Sequence, residues 1–260
     1  MVGLDAEEVD DQSLASLLDG SQWVVNAIGL IKPYIRDTVP GDVAQALRVN
    51  ALFPHQVARA AEACGTRVLQ IATDCVYSGA TGSYSETSPH DAHDVYGKTK
   101  SLGEVRGAPV HHLRASVVGP ERIRQVPLLG WFLGRPHGAT VSGFTTHRWN
   151  GVTTLNFARV CAAVILQGLD LPERHHLVPA DTVSKHELLR QFGRAFGRED
   201  IVLQPTAVSP EIDRTLRTED GRLRDLLWRT AWYSRPPTIG KTVLTNRGVR
   251  ATMPPISMTA

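Results

Sequence analysis

The sequence predicts an α/β protein, a doubly wound parallel sheet followed by a smaller C-terminal lobe. Three observations predict it. Short apolar runs alternate with helical patterns through the first half, as in chained βαβ units. The run at residues 23–27 is apolar on both faces, and that at 67–72 also reads as buried, as for strands covered by helices on each side. From residue 121 the texture changes to Gly, Pro, Arg and aromatics, as in a loop-rich lobe.

Bulk properties fit this class. A chain of 260 residues can bury a sizeable core, and 42% hydrophobic with 21% charged residues is ordinary for a globular protein. A formal charge of +2, dispersed along the chain, argues against nucleic acid or an acidic membrane as partner. No apolar run approaches the roughly 20 residues of a membrane span. The acidic N-terminus has none of the regions of a signal peptide. Cys64, Cys75 and Cys161 stand far apart, which argues against a disulfide framework or a structural zinc site. The cytoplasm is the expected compartment.

Taken in order, Asp10 or Asp11 caps a short helix carrying Leu14, Leu17 and Leu18. Strand 23–27 follows. Residues 42–64 read as a helix that Gly65 ends and Pro54 kinks or divides. Residues 67–72 form the next strand, 96–105 a helix, and 111–118 a third strand. Residues 153–167 return to an amphipathic helix with Leu155, Phe157, Val160 and Val164 inward. A short strand at 176–178 precedes a helix at 184–196, capped by Ser184, and a further helix at 213–232. Residues 236–260 show little periodicity and read as a mobile tail.

The sharpest chemical signal is Thr73-Asp74-Cys75-Val76-Tyr77 at a strand end, followed by Tyr96-Gly97-Lys98-Thr99-Lys100 at a helix start. Ligands of open α/β sheets bind beyond the carboxyl ends of strands, where Thr73 lies. Tyr96 and Lys100 are four apart and share a helix face. An ammonium beside a phenol favours the phenolate, which lowers an acid of ordinary pKa about 10. Thr73 can bind the same substrate oxygen. Together the three could protonate a carbonyl oxygen while hydride reaches its carbon. A bare Tyr-x-x-x-Lys usually marks a solvated helix face, so the context matters.

That context is the run Ile71-Ala72-Thr73-Asp74-Cys75-Val76-Tyr77-Ser78-Gly79, then Gly82-Ser83-Tyr84-Ser85-Glu86, Tyr96-Gly97-Lys98-Thr99-Lys100 and Gly103-Glu104. It resembles the active-site signature of the dTDP-4-dehydrorhamnose reductases, within the extended short-chain dehydrogenase/reductases. The resemblance implies an incomplete Rossmann-like doubly wound sheet with a substrate lobe. It implies Thr73, Tyr96 and Lys100 as catalytic residues and NADPH or NADH as cofactor. Ala27, Ile28 and Gly29 would border the cofactor with Tyr96 and Lys100. Asp74, Cys75 and Arg148 would bind the nucleotide-sugar substrate, Arg148 through a diphosphate. Asn50 reads as a structural hydrogen-bonder and Arg114 as either a family residue or an ion-pair partner. Arg214-Thr215-Leu216 resembles a C-terminal family stretch but departs from its Arg-Pro pattern.

The implied division is 1–120 with 152–170 for dinucleotide binding, 121–151 with 171–235 for the substrate lobe, and 236–260 for the tail. Relatives of this kind open with a strand, a Gly-x-x-Gly-x-x-Gly turn and a helix, which nothing here matches. The likeness covers residues 3–235, and the expectation is a shortened gene model, with a truncated gene or a partner-supplied unit as alternatives. Strand 23–27 is then expected to form an exposed apolar edge.

The expected function is reduction of a 4-keto nucleotide sugar in polysaccharide biosynthesis, with a homodimer as an assembly the family allows. A nucleotide-sugar epimerase or dehydratase uses the same trio, but a dehydratase wants an acid pair where Asp74-Cys75 offers one acid. A non-catalytic nucleotide-sugar binder is the reading from another class. No metal is expected: His90 and His93 lack a third ligand, and His111-His112 and His175-His176 point to opposite faces. Cys75 reads as a small buried filler.

Overall fold

The computed structural model describes residues 6, 9–107, 109–120 and 127–251, the stretch 246–251 by main chain alone. Helix α1 (Asp11–Leu18) begins where Asp10 accepts the Ser13 N–H, and it buries Leu14 and Leu18. Leu17, expected to join them, is exposed. Strand β1 (Trp23–Asn26) follows.

Helix α2 (Pro40–Ala46) runs through a π-helical stretch, Leu47–Leu52, into α3 (Phe53–Cys64). Pro54 therefore re-spaces a continuous helix rather than breaking it. Proline has no N–H for the carbonyl four residues back, that of Asn50, and a wider turn removes the clash. The Asn50 carbonyl meets Gly103 instead, where an added Cβ would lie 2.0 Å from that oxygen. Gly65, at φ 67°, ends α3 in the left-handed conformation.

Strand β2 (Arg67–Thr73), helix α4 (Val95–Leu102), strand β3 (Val110–Ala115) and the short β4 (Val117–Val118) complete the first half. The segment expected to be loop carries α5 (Leu128–Leu133), β5 (Thr140–Phe144) and β6 (His147–Trp149). Then come β7 (Val152–Thr153), α6 (Thr154–Leu166), β8 (Arg174–His176), β9 (Val183–Ser184) and α7 (Lys185–Phe196). The chain continues through β10 (Val202–Thr206), β11 (Ile212–Asp213), α8 (Gly221–Thr230) and α9 (Ile239–Ala251).

The main sheet has the order β1-β2-β3-β8, all parallel. Alternate residues of β2 serve its two faces. Val68 packs with Leu14, Phe53 and Val57 of α1 and α3, while Leu69 packs with Phe157, Val164 and Leu227 of α6 and α8. A three-layer α/β sandwich results. Among the described residues β1 is one edge of this sheet, and Val25 is exposed there, as expected. Trp23 is covered, with the Arg67 guanidinium 4.1 Å from its ring centroid.

Three expectations are corrected. Residues 174–176 supply the fourth strand of the main sheet rather than part of the lobe, because His175 and His176 are both buried against it. The helix expected from 213 begins only at Gly221, where Asp220 caps it. Leu216 instead bridges to Tyr84, locked by a side-chain amide: Asn150 accepts the Leu216 N–H and donates to its carbonyl. Residues 239–251 of the expected tail form α9, with Ile239 and Val243 buried against Leu188, Leu189 and Phe192. Residues 252–260 lie outside the described residues.

A polar network crosses the core beside β3. Arg114, 1% exposed, donates to Tyr77 Oη at 2.6 Å, His176 Nε2 at 2.7 Å and His90 Nε2 at 2.9 Å, and pairs with Glu104. Because both rings accept from Arg114 through Nε2, each neutral ring donates through Nδ1, to Ser101 Oγ from His90 and to the Arg217 carbonyl from His176. A second proton would place a cation against the guanidinium. Burial first, then Arg114, holds His176 below the ordinary histidine range, and burial pushes His112 down to about 4. The unfolded rings titrate near 6.5, so the unfolded chain binds more protons between about pH 6.5 and 4, and stability falls as pH drops through that window. His112 alone should cost roughly 2 kcal/mol at pH 5 relative to pH 7. Denaturant melts at the two pH values check this, and equal stabilities would refute it.

Candidate active site

Thr73 is the last residue of β2, and its hydroxyl accepts the Cys75 N–H at 3.2 Å, which caps a 3₁₀ turn over Asp74–Val76. Helix α4 starts opposite. Asp94 caps it by accepting the Gly97 N–H at 2.7 Å and is itself held by Lys32 at 2.6 Å. Gly97 lets the helix approach the strand end, since an added Cβ would lie 2.4 Å from the Cys75 carbonyl oxygen. The phenol of Tyr96 is thereby brought beside the Thr73 hydroxyl, which favours its ionised form. One turn on, Lys100 reaches beneath the exit of β1, where a Cβ on Gly29 would be 3.3 Å from its Nζ.

That exit is pinned by two side-chain amides. Asn26 accepts the Ile28 N–H at 3.1 Å. Asn50 accepts the Leu30 N–H and donates to the Leu30 carbonyl, each at 2.9 Å, the structural role expected of it. A cleft of about 280 Å³ opens between these elements. Ala27, Ile28, Gly29, Thr73, Tyr96 and Lys100 line it, and so do Asp74 and Cys75.

Burial dominates the electrostatics. Tyr96 is pushed up by burial, with Cys75, Asp74 and Asp94 adding to the effect and the Thr73 hydroxyl opposing it. The expected lowering by Lys100 is not seen, because water that would solvate a phenolate is excluded and the nearest charges are acidic. The phenol therefore stays protonated and can donate. Burial lowers Lys100, opposed by Glu104. Burial raises Asp74, opposed by Lys185 and Arg214. The Cys75 thiol is pushed to about 12, chiefly by burial, which fits the filler reading and not a reactive thiol.

Arg148 is not brought to the cleft. Its side chain is 60% exposed and faces Asp213 at 3.6 Å. Sequence reasoning missed Lys185, whose charge acts on Asp74 and Cys75, and Ser116, whose hydroxyl opposes the rise of Asp74 and accepts from Trp149 Nε1 at 2.8 Å. The signal for Lys185 was a cation at the first position of a helix, where the helix dipole disfavours it. Arg214 also acts on Asp74, while its Nε donates to the Tyr77 carbonyl at 2.9 Å. A second cavity, about 460 Å³, adjoins Lys185 and is lined by Trp131, Arg135, Phe144 and His147. Among the described residues no group of acids, histidines and cysteines could hold a metal.

Residues 6–118 match the family described as the RmlD substrate binding domain. Over 69 residues the chain is 39% identical to a dTDP-4-dehydrorhamnose reductase of Streptomyces griseus, a stretch that is 26% of this chain and 23% of that enzyme. Over these stretches the chain is similar to dTDP-4-dehydrorhamnose reductases. The aligned stretch thus spans about a quarter of the curated relative. Likeness of fold extends over nearly the whole chain. The dTDP-4-dehydrorhamnose reductase of Clostridium acetobutylicum superposes with a TM-score of 0.73 at 18% identity, over 94% of this chain and 86% of the other. That of Bacillus anthracis, in complex with NADP, gives 0.73 at 14% identity, over 95% and 87%. These structures establish the Rossmann-like fold of this chain.

Proposed function

We propose that the protein is an NAD(P)H-dependent reductase of a 4-keto nucleotide sugar, acting in cytoplasmic steps of polysaccharide biosynthesis. One observation carries the reading: Thr73, Tyr96 and Lys100 converge on one cleft at the carboxyl end of β2, facing Ala27, Ile28 and Gly29. The cofactor fits what is present, because glycine at position 29 leaves the buried Lys100 ammonium open to a ribose hydroxyl. A bound nicotinamide cofactor, NADPH or NADH, supplies the hydride. Thr73 orients the carbonyl oxygen by hydrogen bonding, and Tyr96, kept protonated by burial, gives that oxygen its proton. Lys100 then lies one helical turn from the phenolate that forms. The relatives named above bring the substrate class, and the aromatic cavity beside Lys185 suits a nucleotide base.

The test is anaerobic mixing of the purified protein with NADPH and a dTDP-4-keto-6-deoxy sugar, following loss of reduced nicotinamide absorbance and formation of the 4-hydroxy product. Turnover supports the reading. Binding of the sugar nucleotide without turnover would replace it by a non-catalytic binder.

We also propose a homodimer. Leu52 and Leu102 are 55% and 60% exposed, on the π-helical stretch and α4, which pack together. A second copy presenting the same face would remove them from water. Sedimentation should find a dimer that Leu102→Asp converts to monomer. A wild-type monomer at micromolar concentration would overturn the proposal.

A further inference from the structure

Lys185 opens α7 directly after its Ser184 cap, so its charge sits at the positive end of a helix dipole. Its ammonium lies 5.5 Å from the centroid of the Trp149 ring. It lines the 460 Å³ aromatic cavity, while Asp74 and Cys75, on which its charge acts, line the reaction cleft. It therefore stands at the junction of the two. Among the described residues no carboxylate forms an ion pair with it. The nearby charges are Asp74 on one side and a second cation, Arg214, on the other. The junction thus gathers two basic side chains, Lys185 and Arg214, about one carboxyl, Asp74.

We infer that Lys185 is the phosphate-selecting residue of this protein, receiving an anionic phosphate that joins a base in the aromatic cavity to a sugar in the cleft. The chemistry of the two cavities narrows the ligand. A planar base suits Trp131 and Phe144, and a carbonyl suits Thr73 and Tyr96. A nucleotide sugar joins base and sugar through charged phosphates. The ligand's identity rests on the proposed function, but the role of the lysine does not require turnover. It takes the place expected of Arg148, which the fold directs to solvent and Asp213.

The experiment is a tryptophan-fluorescence titration of the whole protein with dTDP and, separately, with thymidine. The wild type should bind dTDP more tightly than thymidine. Lys185→Met should weaken dTDP at least tenfold, leave thymidine unchanged, and melt no lower than the wild type, because a desolvated cation is removed. Lys185→Arg should retain most of the dTDP affinity. If the methionine variant fails to fold, Lys185→Gln serves the same purpose. The inference is overturned if the variant binds dTDP like the wild type, if both ligands weaken equally, or if the wild type does not prefer dTDP. A wild type that binds dTDP through Lys185 yet reduces nothing would uphold the inference while refuting the reductase.

Discussion

Replacing Tyr96 by Phe is expected to lower kcat for ketone reduction by about 10²–10⁴-fold while leaving the fold intact. In the proposed reaction the phenol is the proton donor, and it lines the cleft beside the Thr73 hydroxyl. Phenylalanine keeps the ring and removes only the oxygen. Burial raises the phenol, so Tyr96 is protonated throughout the working range and the loss should not be rescued by lowering pH. Steady-state kinetics with KM and kcat separated, together with thermal melting, checks this. Unchanged kcat would remove Tyr96 from the chemistry and, with it, the reading of the cleft as a reductase site.

The largest stability effect is expected at Arg114, which lies outside the cleft. Arg114→Met should destabilise the protein by about 3–5 kcal/mol, since it leaves the buried Glu104 carboxylate uncompensated. It also strips a donor from Tyr77, His90 and His176. For a chain of this size that is on the order of a 10 °C fall in Tm. Adding Glu104→Met to the same protein should recover much of the loss, because removing both charges takes away the uncompensated burial. If the single variant melts with the wild type, or the double variant melts lower than the single, the network is not held together as described. The same network carries the acid sensitivity expected of His112 and His176, so Arg114→Met should also flatten the fall in stability between pH 7 and 5.

The sequence by itself determined the elements whose signals are local. Buried apolar runs placed β1 and β2, period-3.6 patterning placed α3 and α6, and a cap at Asp10 or Asp11 and one at Ser184 marked where two helices start. The trio was legible through the resemblance of its flanking motifs to the reductase signature, since Tyr96 and Lys100 one helical turn apart would alone read as a solvated helix face. What only the tertiary structure decided depends on contacts between distant segments. No local pattern marks 239–251 as docked helix, since Ile239 and Val243 are buried by residues distant in the chain, those of α7 among them. The short strands β10 and β11 exist because β5 and β6 pair with them. Arg148 faces solvent and Asp213 while Lys185 lines a cavity, because a side chain's reach is set by which element carries it, not by its residue type. The direction of the Tyr96 shift was likewise beyond sequence, because desolvation is a property of everything packed around the phenol, and here it is the largest influence.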